Sequence, residues 1–190
     1  VIEGIAGLSA RYPQILATRF ERNTGKTLAL KTGFDQAAGE IVITMDSDLQ
    51  DDPAEIPALL AKLDEGHDLV CGWKERRYDP LVRVLASSIY NTVIRVLFGV
   101  SLRDVNCGIK AMRSVVAKSV ARRLERDYHR LIPVLAHQNG FSVAEVPVTH
   151  HPRRHGRSKY GPMRYFRAFG DVAALKIASW QQTRGGRFRK

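Results

Sequence analysis

Residues 40–53 read EIVITMDSDLQDDP, a β-branched and apolar run that ends in four closely spaced aspartates. The first half is typical of a strand that is buried on both faces in a parallel sheet. Four carboxylates so close together repel one another and lose hydration when buried, so they need a cation among them or an exposed position. Two explanations are open: the acids hold a metal or cationic ligand, or they are the solvated start of a helix.

The elements around this stretch alternate between strand and helix patterns. Helical patterns at 27–39 and 54–65 flank the strand, and DLVCGW at 68–73 is typical of another buried strand. This order predicts an α/β fold with a doubly wound, mostly parallel sheet. The other predicted elements are a β-leaning run at 15–20, a helix at 81–98, a helical pair near 113–138, a strand at 141–148 and a helix around 163–180.

The charge of the chain is unevenly distributed. Residues 1–149 hold 19 Lys and Arg against 18 Asp and Glu, whereas residues 150–190 hold 11 against one. We therefore predict a neutral body at 1–150 and a basic loop and interfacial helix at 151–190. Two cysteines, far apart and outside any CxxC pattern, favour a reducing compartment and argue against a disulfide framework or a structural zinc site.

A basic segment of this kind predicts an anionic partner: nucleic acid, a phosphate-bearing substrate or an anionic membrane surface. Nucleic acid is disfavoured, because no RNA- or DNA-binding motif is present and a neutral body leaves the aspartates unexplained. A non-catalytic membrane-docking module is a third interpretation, since the last helix mixes basic and aromatic residues as interfacial helices do. The oligomeric state stays open, a homo-oligomer included.

The aspartate cluster divides into two pairs. Asp46, Asp48 and Gln50 occupy alternate positions, which project to one side of an extended segment. Such hard oxygen ligands suit Mg²⁺ or Mn²⁺ bridging to substrate phosphates. Asp51 and Asp52 precede a proline and are expected to complement the positive end of the next helix.

Candidate phosphate ligands lie elsewhere in the chain. The helix at 81–98 carries a narrow polar stripe without acids, in which Arg83 and Ser87 suit a phosphate oxyanion while Asn91 and Arg95 are expected to be structural. The loop at 150–161 is dense in phosphate donors, although a solvated basic loop is the simpler explanation. The candidates there are Arg153, Arg154, Arg157, Ser158 and Lys159, and weaker ones follow the strand at 68–73, namely Arg76 and Arg77.

The segment NTGKT at 23–27 superficially resembles a P-loop. A P-loop needs glycine where this chain has Phe20, which excludes a nucleoside triphosphatase of that class. Lys26 either faces a phosphate or belongs to a plain turn before a helix. The histidines at 129, 150, 151 and 155 show no metal-ligand spacing, and His129 is expected to be structural.

The motif DSDLQDDP after a hydrophobic strand resembles the metal- and donor-binding motif of family 2 glycosyltransferases with the GT-A fold. More narrowly, it resembles the branch that moves a sugar from a nucleoside diphosphate to a polyprenyl or dolichyl phosphate. The resemblance covers nearly the whole chain. Further matching segments are RNTGKTLALKTGFDQAAGEIV (22–42), LVCGWKERR (69–77), DVNCGIKAMR (104–113), HRLIPVLAHQNG (129–140) and EVPVTHHPRRHGRSKYG (145–161).

The resemblance implies an inverting transfer from a donor of the UDP-glucose or GDP-mannose type. Asp46, Asp48 and Gln50 would hold the metal and the donor diphosphate. Arg83 and Ser87 would bind the acceptor phosphate, and RRHGRSK resembles a lid over both phosphates. An anionic lipid phosphate needs no strong general base. Asp104 and Asp127 are candidate auxiliary carboxylates without an assigned role. The expected location is the cytoplasmic side of a membrane, peripheral or through an anchor that this chain lacks.

The first residues of the chain depart from the family pattern. Family members begin with a strand and turn that hold the base and ribose, whereas VIEGIAGLSARYP resembles the helix after that turn. We therefore expect an N-terminally truncated GT-A sheet, and whether the fragment is active on its own stays open.

Overall fold

The computed structural model describes residues 2–75, 81–152 and 163–185. These residues form seven α-helices, four strands and two short 3₁₀ helices. In chain order the elements are α1 (Ile2–Arg11), α2 (Gly25–Gln36), β1 (Ile41–Thr44), a 3₁₀ helix (Pro53–Glu55), α3 (Ile56–Asp64), β2 (Leu69–Lys74), α4 (Leu81–Phe98), β3 (Lys110–Arg113), α5 (Ser114–Ala121), a second 3₁₀ helix (Tyr128–Leu131), α6 (Ile132–Gln138), β4 (Val143–Val148) and α7 (Met163–Gly185).

The four strands form one mixed sheet in the order β1-β3-β2-β4. Strand β2 pairs parallel with β4, and β3 pairs antiparallel with both β1 and β2. Three of the four strands therefore run in one direction, as predicted, and only β3 runs against them. Because β1, β2 and β4 share a direction, their carboxyl ends lie at the same edge of the sheet, where ligands bind in open α/β sheets.

Two features of the sheet differ from the sequence prediction. Strand β3 was not predicted, because KAMR carries no β-branched residue; it forms because Ala111 lies between Ile43 of β1 and Val70 of β2 in the ladder. The run at 15–20 was predicted as β-leaning, but it forms no strand in the described structure. Strand β1 was predicted to be buried on both faces, yet it is an edge strand of the described sheet and is only half-buried.

Helices cover both faces of the sheet. Leu59 and Leu63 of α3 pack on the face that carries Val70 of β2. The opposite face carries Leu69 and Cys71, which alternate with Val70 along the strand and pack against α4, α5 and α6 in the larger core cluster. The doubly wound arrangement is therefore present, with α3 on one side and the other central helices on the other.

The last helix shares the core of the body. Ala168, Val172 and Leu175 of α7 are buried in the larger cluster, and Phe169 contacts Tyr90 of α4 edge to face, with ring centroids 5.7 Å apart. The division at residue 150 stays a prediction, and this helix is integrated with the residues before it. No described helix is long and apolar enough to cross a membrane.

Candidate active site

The loop that follows β1 turns back on itself through its own aspartates. The backbone N–H of Asp46 donates to Oδ2 of Asp51 at 3.2 Å, and the N–H of Gln50 donates to Oδ1 of Asp48 at 3.3 Å. Leu49 adopts a positive φ of 60°, a conformation that few side chains tolerate, at the turning point. We call residues 46–52 the carboxylate loop. It lies at the carboxyl end of β1, as the sequence predicts.

The segment after β4 forms hydrogen bonds with the carboxylate loop. Asp51 and His150 form an isolated antiparallel bridge, and the N–H of His151 donates to the carbonyl of Gln50 at 2.9 Å. The side-chain nitrogen of Gln50 lies 3.2 Å from Nε2 of His150 and 3.3 Å from the carbonyl oxygen of His151. The carboxyl ends of β1 and β4 are therefore tied together at the edge where a ligand is expected.

The two adjacent aspartates of the loop have different roles. Asp52 caps the following 3₁₀ helix by accepting from the N–H of Ala54 at 2.9 Å, as predicted. Hydrogen bonds from His151 and from Ala54 hold the pKa of Asp52 below its ordinary value. The helix-start prediction is wrong for Asp51, whose carboxylate is buried and faces back toward Asp46 and His150. It closes the loop instead of capping the helix.

Lys26 and Asp46 form an ion pair. Burial of the Asp46 carboxylate opposes its ionisation, but the charge and hydrogen bond of Lys26, helped by Lys110 and Lys74, outweigh burial and lower the pKa of Asp46. Asp46 is therefore a carboxylate at neutral pH. The structure places the ammonium group of Lys26 beside the carboxylate loop, and its contact with a phosphate stays a prediction.

A cleft of about 350 Å³ opens beside this ion pair. Its walls include Lys26, Asp46, Asn106, Gly108 and His129. A Cβ atom at Gly108 would lie 2.5 Å from Oδ2 of Asp51 and 3.1 Å from Oδ2 of Asp46, so glycine is needed for the two carboxylates to approach the backbone. The cleft thus combines two lysines, one carboxylate and a bare stretch of backbone.

A second, larger groove of about 570 Å³ lies next to the cleft. It runs along residues 17–25 and includes Ile5, and Ala29 lines both spaces. The groove contains none of the aspartates of the carboxylate loop, so we place the chemistry in the smaller cleft.

The other predicted site residues lie on α4 or outside the described residues. Ser87 is half-buried in α4, and Asn91 is buried and donates to the carbonyl of Arg103 at 2.6 Å, which is a structural contact. Arg83 falls in the first turn of α4, and its side chain lies outside the described part of the structure. The remaining candidates lie entirely outside the described residues, namely Arg76, Arg77, Arg153, Arg154, Arg157, Ser158 and Lys159.

Sequence reasoning missed several residues at the site. His150 and His151 were set aside because they lack metal-ligand spacing, although their position after a parallel strand places them at the ligand edge. Gly108 was noted only within a family segment. His129 lines the cleft, and its Nδ1 lies 2.9 Å from Oγ1 of Thr27. Asp104 is buried and accepts from the N–H of Asn106, within the turn that precedes β3.

The donor set of the loop fits a divalent cation that also binds substrate. Among the described residues, no group of three or more His, Cys, Asp or Glu side chains could hold a metal ion alone. Mg²⁺ sites commonly use one or two carboxylates and complete the shell with phosphate oxygens and water. Asp46 and Asp48, with the amide oxygen of Gln50, have the donor chemistry of such a partial site, and their binding of a cation stays a prediction.

Comparisons with known proteins identify the family of this chain. The model of the family "Glycosyl transferase family 2" matches residues 2–123. The chain is 36% identical over 189 residues to dodecaprenyl-phosphate galacturonate synthase of Rhizobium johnstonii, covering 97% of this chain and 54% of that protein. It is 37% identical over 159 residues to undecaprenyl-phosphate 4-deoxy-4-formamido-L-arabinose transferase of Edwardsiella ictaluri, covering 84% and 48%. The chain spans about half the length of these curated relatives.

A solved structure shows the same fold. Glucosyl-3-phosphoglycerate synthase from Mycobacterium tuberculosis, in complex with Mn²⁺ and UDP-glucose, superposes with a TM-score of 0.54 and 18% identity. The match covers 94% of this chain and 62% of that one. The predicted α/β fold of the GT-A type and the predicted resemblance are both confirmed. The chain belongs to glycosyl transferase family 2.

Proposed function

We propose that this protein transfers a sugar from a nucleoside diphosphate donor to a polyprenyl phosphate at a membrane surface. The observation that carries the proposal is the carboxylate loop, which lies at the shared carboxyl edge of the sheet, with Asp46 paired to Lys26 in the wall of a cleft. The names of two relatives, a dodecaprenyl-phosphate galacturonate synthase and an undecaprenyl-phosphate sugar transferase, support the acceptor class.

The donor diphosphate is proposed to lie in the cleft beside the carboxylate loop. Asp46, Asp48 and Gln50 would hold Mg²⁺ or Mn²⁺, which supplies positive charge against the departing diphosphate. Lys26 would move from Asp46 to a phosphate oxygen when the donor binds. Gly108 lets the carboxylates of Asp51 and Asp46 approach the backbone, and the groove of about 570 Å³ along residues 17–25 is proposed to receive the nucleoside.

The acceptor phosphate is proposed to lie opposite the donor. Arg83 and Ser87 share the polar stripe of α4 and offer bidentate and hydroxyl donors for a phosphate. The lipid phosphate is already anionic and attacks the anomeric carbon directly, which inverts the anomer and requires no general base. Other candidate donors to the two phosphates are Arg76, Arg153, Arg154, Ser158 and Lys159.

An anionic bilayer is the proposed partner surface. Leu85, Ile89 and Val96 of α4 are 64%, 51% and 78% exposed, and their spacing places them on one helical face. Trp180 of α7, the helix that packs on α4, is 53% exposed. Each Lys or Arg near an anionic membrane contributes about 1 kcal/mol, and residues 150–190 hold 11 of them. We propose peripheral binding at the cytoplasmic face.

The test uses the full chain with Mn²⁺, UDP-glucose and GDP-mannose, titrated into the wild type and Asp48→Ala. Metal-dependent binding that the substitution abolishes, together with labelled sugar transfer to undecaprenyl phosphate, supports the proposal. Salt-sensitive DNA binding that is unchanged by Asp48→Ala, without nucleotide-sugar binding, would contradict it and favour a basic nucleic-acid-binding protein. The same titration, extended to other nucleotide sugars, identifies the donor.

A further inference from the structure

The side-chain amide of Gln50 has only one chemically consistent orientation. Its terminal group lies 3.3 Å from the carbonyl oxygen of His151. A carbonyl oxygen accepts and cannot donate, so the amide nitrogen must be the atom that faces it. The same nitrogen lies 3.2 Å from Nε2 of His150, which must therefore accept the second N–H. An imidazole that accepts at Nε2 is neutral and carries its proton on Nδ1.

His150 connects Gln50 to the start of the carboxylate loop. Its Nδ1 faces Oδ1 of Asp51 at 3.9 Å, and Oδ2 of Asp51 accepts from the backbone N–H of Asp46 at 3.2 Å. Both His150 and Asp51 are only 8% exposed. The separation between Nδ1 and Oδ1 is longer than a hydrogen bond, and the two residues are joined by the isolated bridge between their backbones. The first and last proposed cation ligands are therefore linked through that bridge and through the contact between Gln50 and His150.

We infer that His150 is a positioning residue that fixes the amide of Gln50 so that its oxygen faces the cation. The inference rests on the proposed function, in which Gln50 is a ligand. The amide group is planar, so anchoring its nitrogen on the β4 side fixes the direction of its oxygen. Partners that orient metal ligands in this way are worth about 10- to 100-fold in metal affinity.

The neighbouring histidine supplies a matched control. The Nε2 atom of His151 lies 3.0 Å from Oδ2 of Asp52, the residue that caps the 3₁₀ helix. The side chain of His151 therefore anchors the helix start, and only its backbone faces Gln50. Two adjacent histidines at the same strand end thus differ in whether their side chains reach the amide.

The experiment compares two amide substitutions at position 150 in the full chain. In His150→Gln the side-chain oxygen reaches the place of Nε2, whereas in His150→Asn it reaches only the place of Nδ1. Mn²⁺ binding is measured by electron paramagnetic resonance with UDP present. We expect His150→Asn to weaken Mn²⁺ binding by about tenfold or more, while His150→Gln and His151→Ala stay within about threefold of the wild type.

A double-substitution cycle separates positioning from general stability. If His150 acts through Gln50, adding His150→Asn to Gln50→Ala produces no further loss of Mn²⁺ affinity. Additive losses, or equal Mn²⁺ affinity in the wild type and His150→Asn, would overturn the inference alone. A wild type that binds no Mn²⁺ with either UDP or GDP would overturn the proposed function, and the inference would fall with it.

Discussion

The carboxylate loop and helix α4 are built in opposite ways. The loop has no regular secondary structure, yet its aspartates and Gln50 contact one another, Lys26 and the end of β4. Helix α4 is regular over 18 residues, yet it leaves a row of aliphatic side chains exposed. A small, highly charged ion or phosphate group needs protein side chains that are fixed in position before it binds. A membrane needs only an apolar surface and nearby positive charge, without fixed contacts.

The largest expected effect comes from crowding the carboxylate loop. In Gly108→Ala the new methyl group meets the Asp51 carboxylate at 2.5 Å, so Asp51 must move and Asp46 with it. Misplacement by about 1 Å at a binding site can cost about 100-fold, and we expect a loss of that size in Mn²⁺-dependent UDP binding. Calorimetric titration measures it.

The matched control is Gly170→Ala in α7, where an added Cβ meets nothing within 4 Å. This substitution is expected to leave nucleotide binding unchanged and to stabilise the helix by up to about 1 kcal/mol. Normal UDP binding by a folded Gly108→Ala variant would show that the loop is not the ligand site.

A smaller effect is expected from breaking the exposed row of α4. Val96→Asp removes a side chain that would be buried in the bilayer, worth about 1.5 kcal/mol or more. Sedimentation with vesicles of phosphatidylcholine and phosphatidylglycerol should therefore show about tenfold weaker binding, with UDP binding unchanged. Val115→Asp on α5, where the valine is 57% exposed, is the control and should bind vesicles like the wild type. Equal weakening by both substitutions would place the membrane contact elsewhere.

The smallest effect concerns the Lys26–Asp46 ion pair. The folded-state pKa of Asp46 is lowered, so its contribution to stability is present above the ordinary value of 3.8 and is lost as pH falls through the folded pKa. Lys26→Met removes the positive charge that outweighs the effect of burial, so the pKa of Asp46 should rise. The free energy of unfolding should fall by less than about 1 kcal/mol, because the ion pair is partly exposed.

Carboxyl carbon NMR of the metal-free protein follows the titration of Asp46 directly. Lys31→Met, on the same helix, serves as the control and should leave the Asp46 titration where it is in the wild type. An unchanged Asp46 titration in Lys26→Met would mean that the ion pair does not form in solution.

Much of the fold follows from local sequence. The helix at 54–65 and the helix at 81–98 were predicted because apolar periodicity and terminal glycines are local signals, and Gly66 and Gly99 do adopt positive φ. Strand β3 could not be predicted, because its conformation is decided by the strands on either side of it. The strand prediction for residues 15–20 was wrong for the converse reason: these residues favour a strand, but they have no strand partner within the described structure.

In the candidate site, too, the local sequence predicted some residues, and others depend on contacts that form only in the folded chain. The family motif and its alternate spacing identified Asp46, Asp48 and Gln50 as candidate ligands. Asp51 and Asp52 are identical neighbours in sequence, and only the folded chain shows that one is buried against Asp46 while the other caps a helix. His150 lies 100 residues from Gln50 in sequence, so no local pattern could join them.

The most direct measurement is anomalous diffraction at the manganese edge from crystals of the full chain grown with Mn²⁺ and UDP. The account predicts an anomalous peak at coordination distance, about 2.0–2.2 Å, from a carboxylate oxygen of Asp48 and from a diphosphate oxygen. A bound UDP whose diphosphate lies away from the carboxylate loop, or a manganese peak that contacts neither Asp46 nor Asp48, would contradict it.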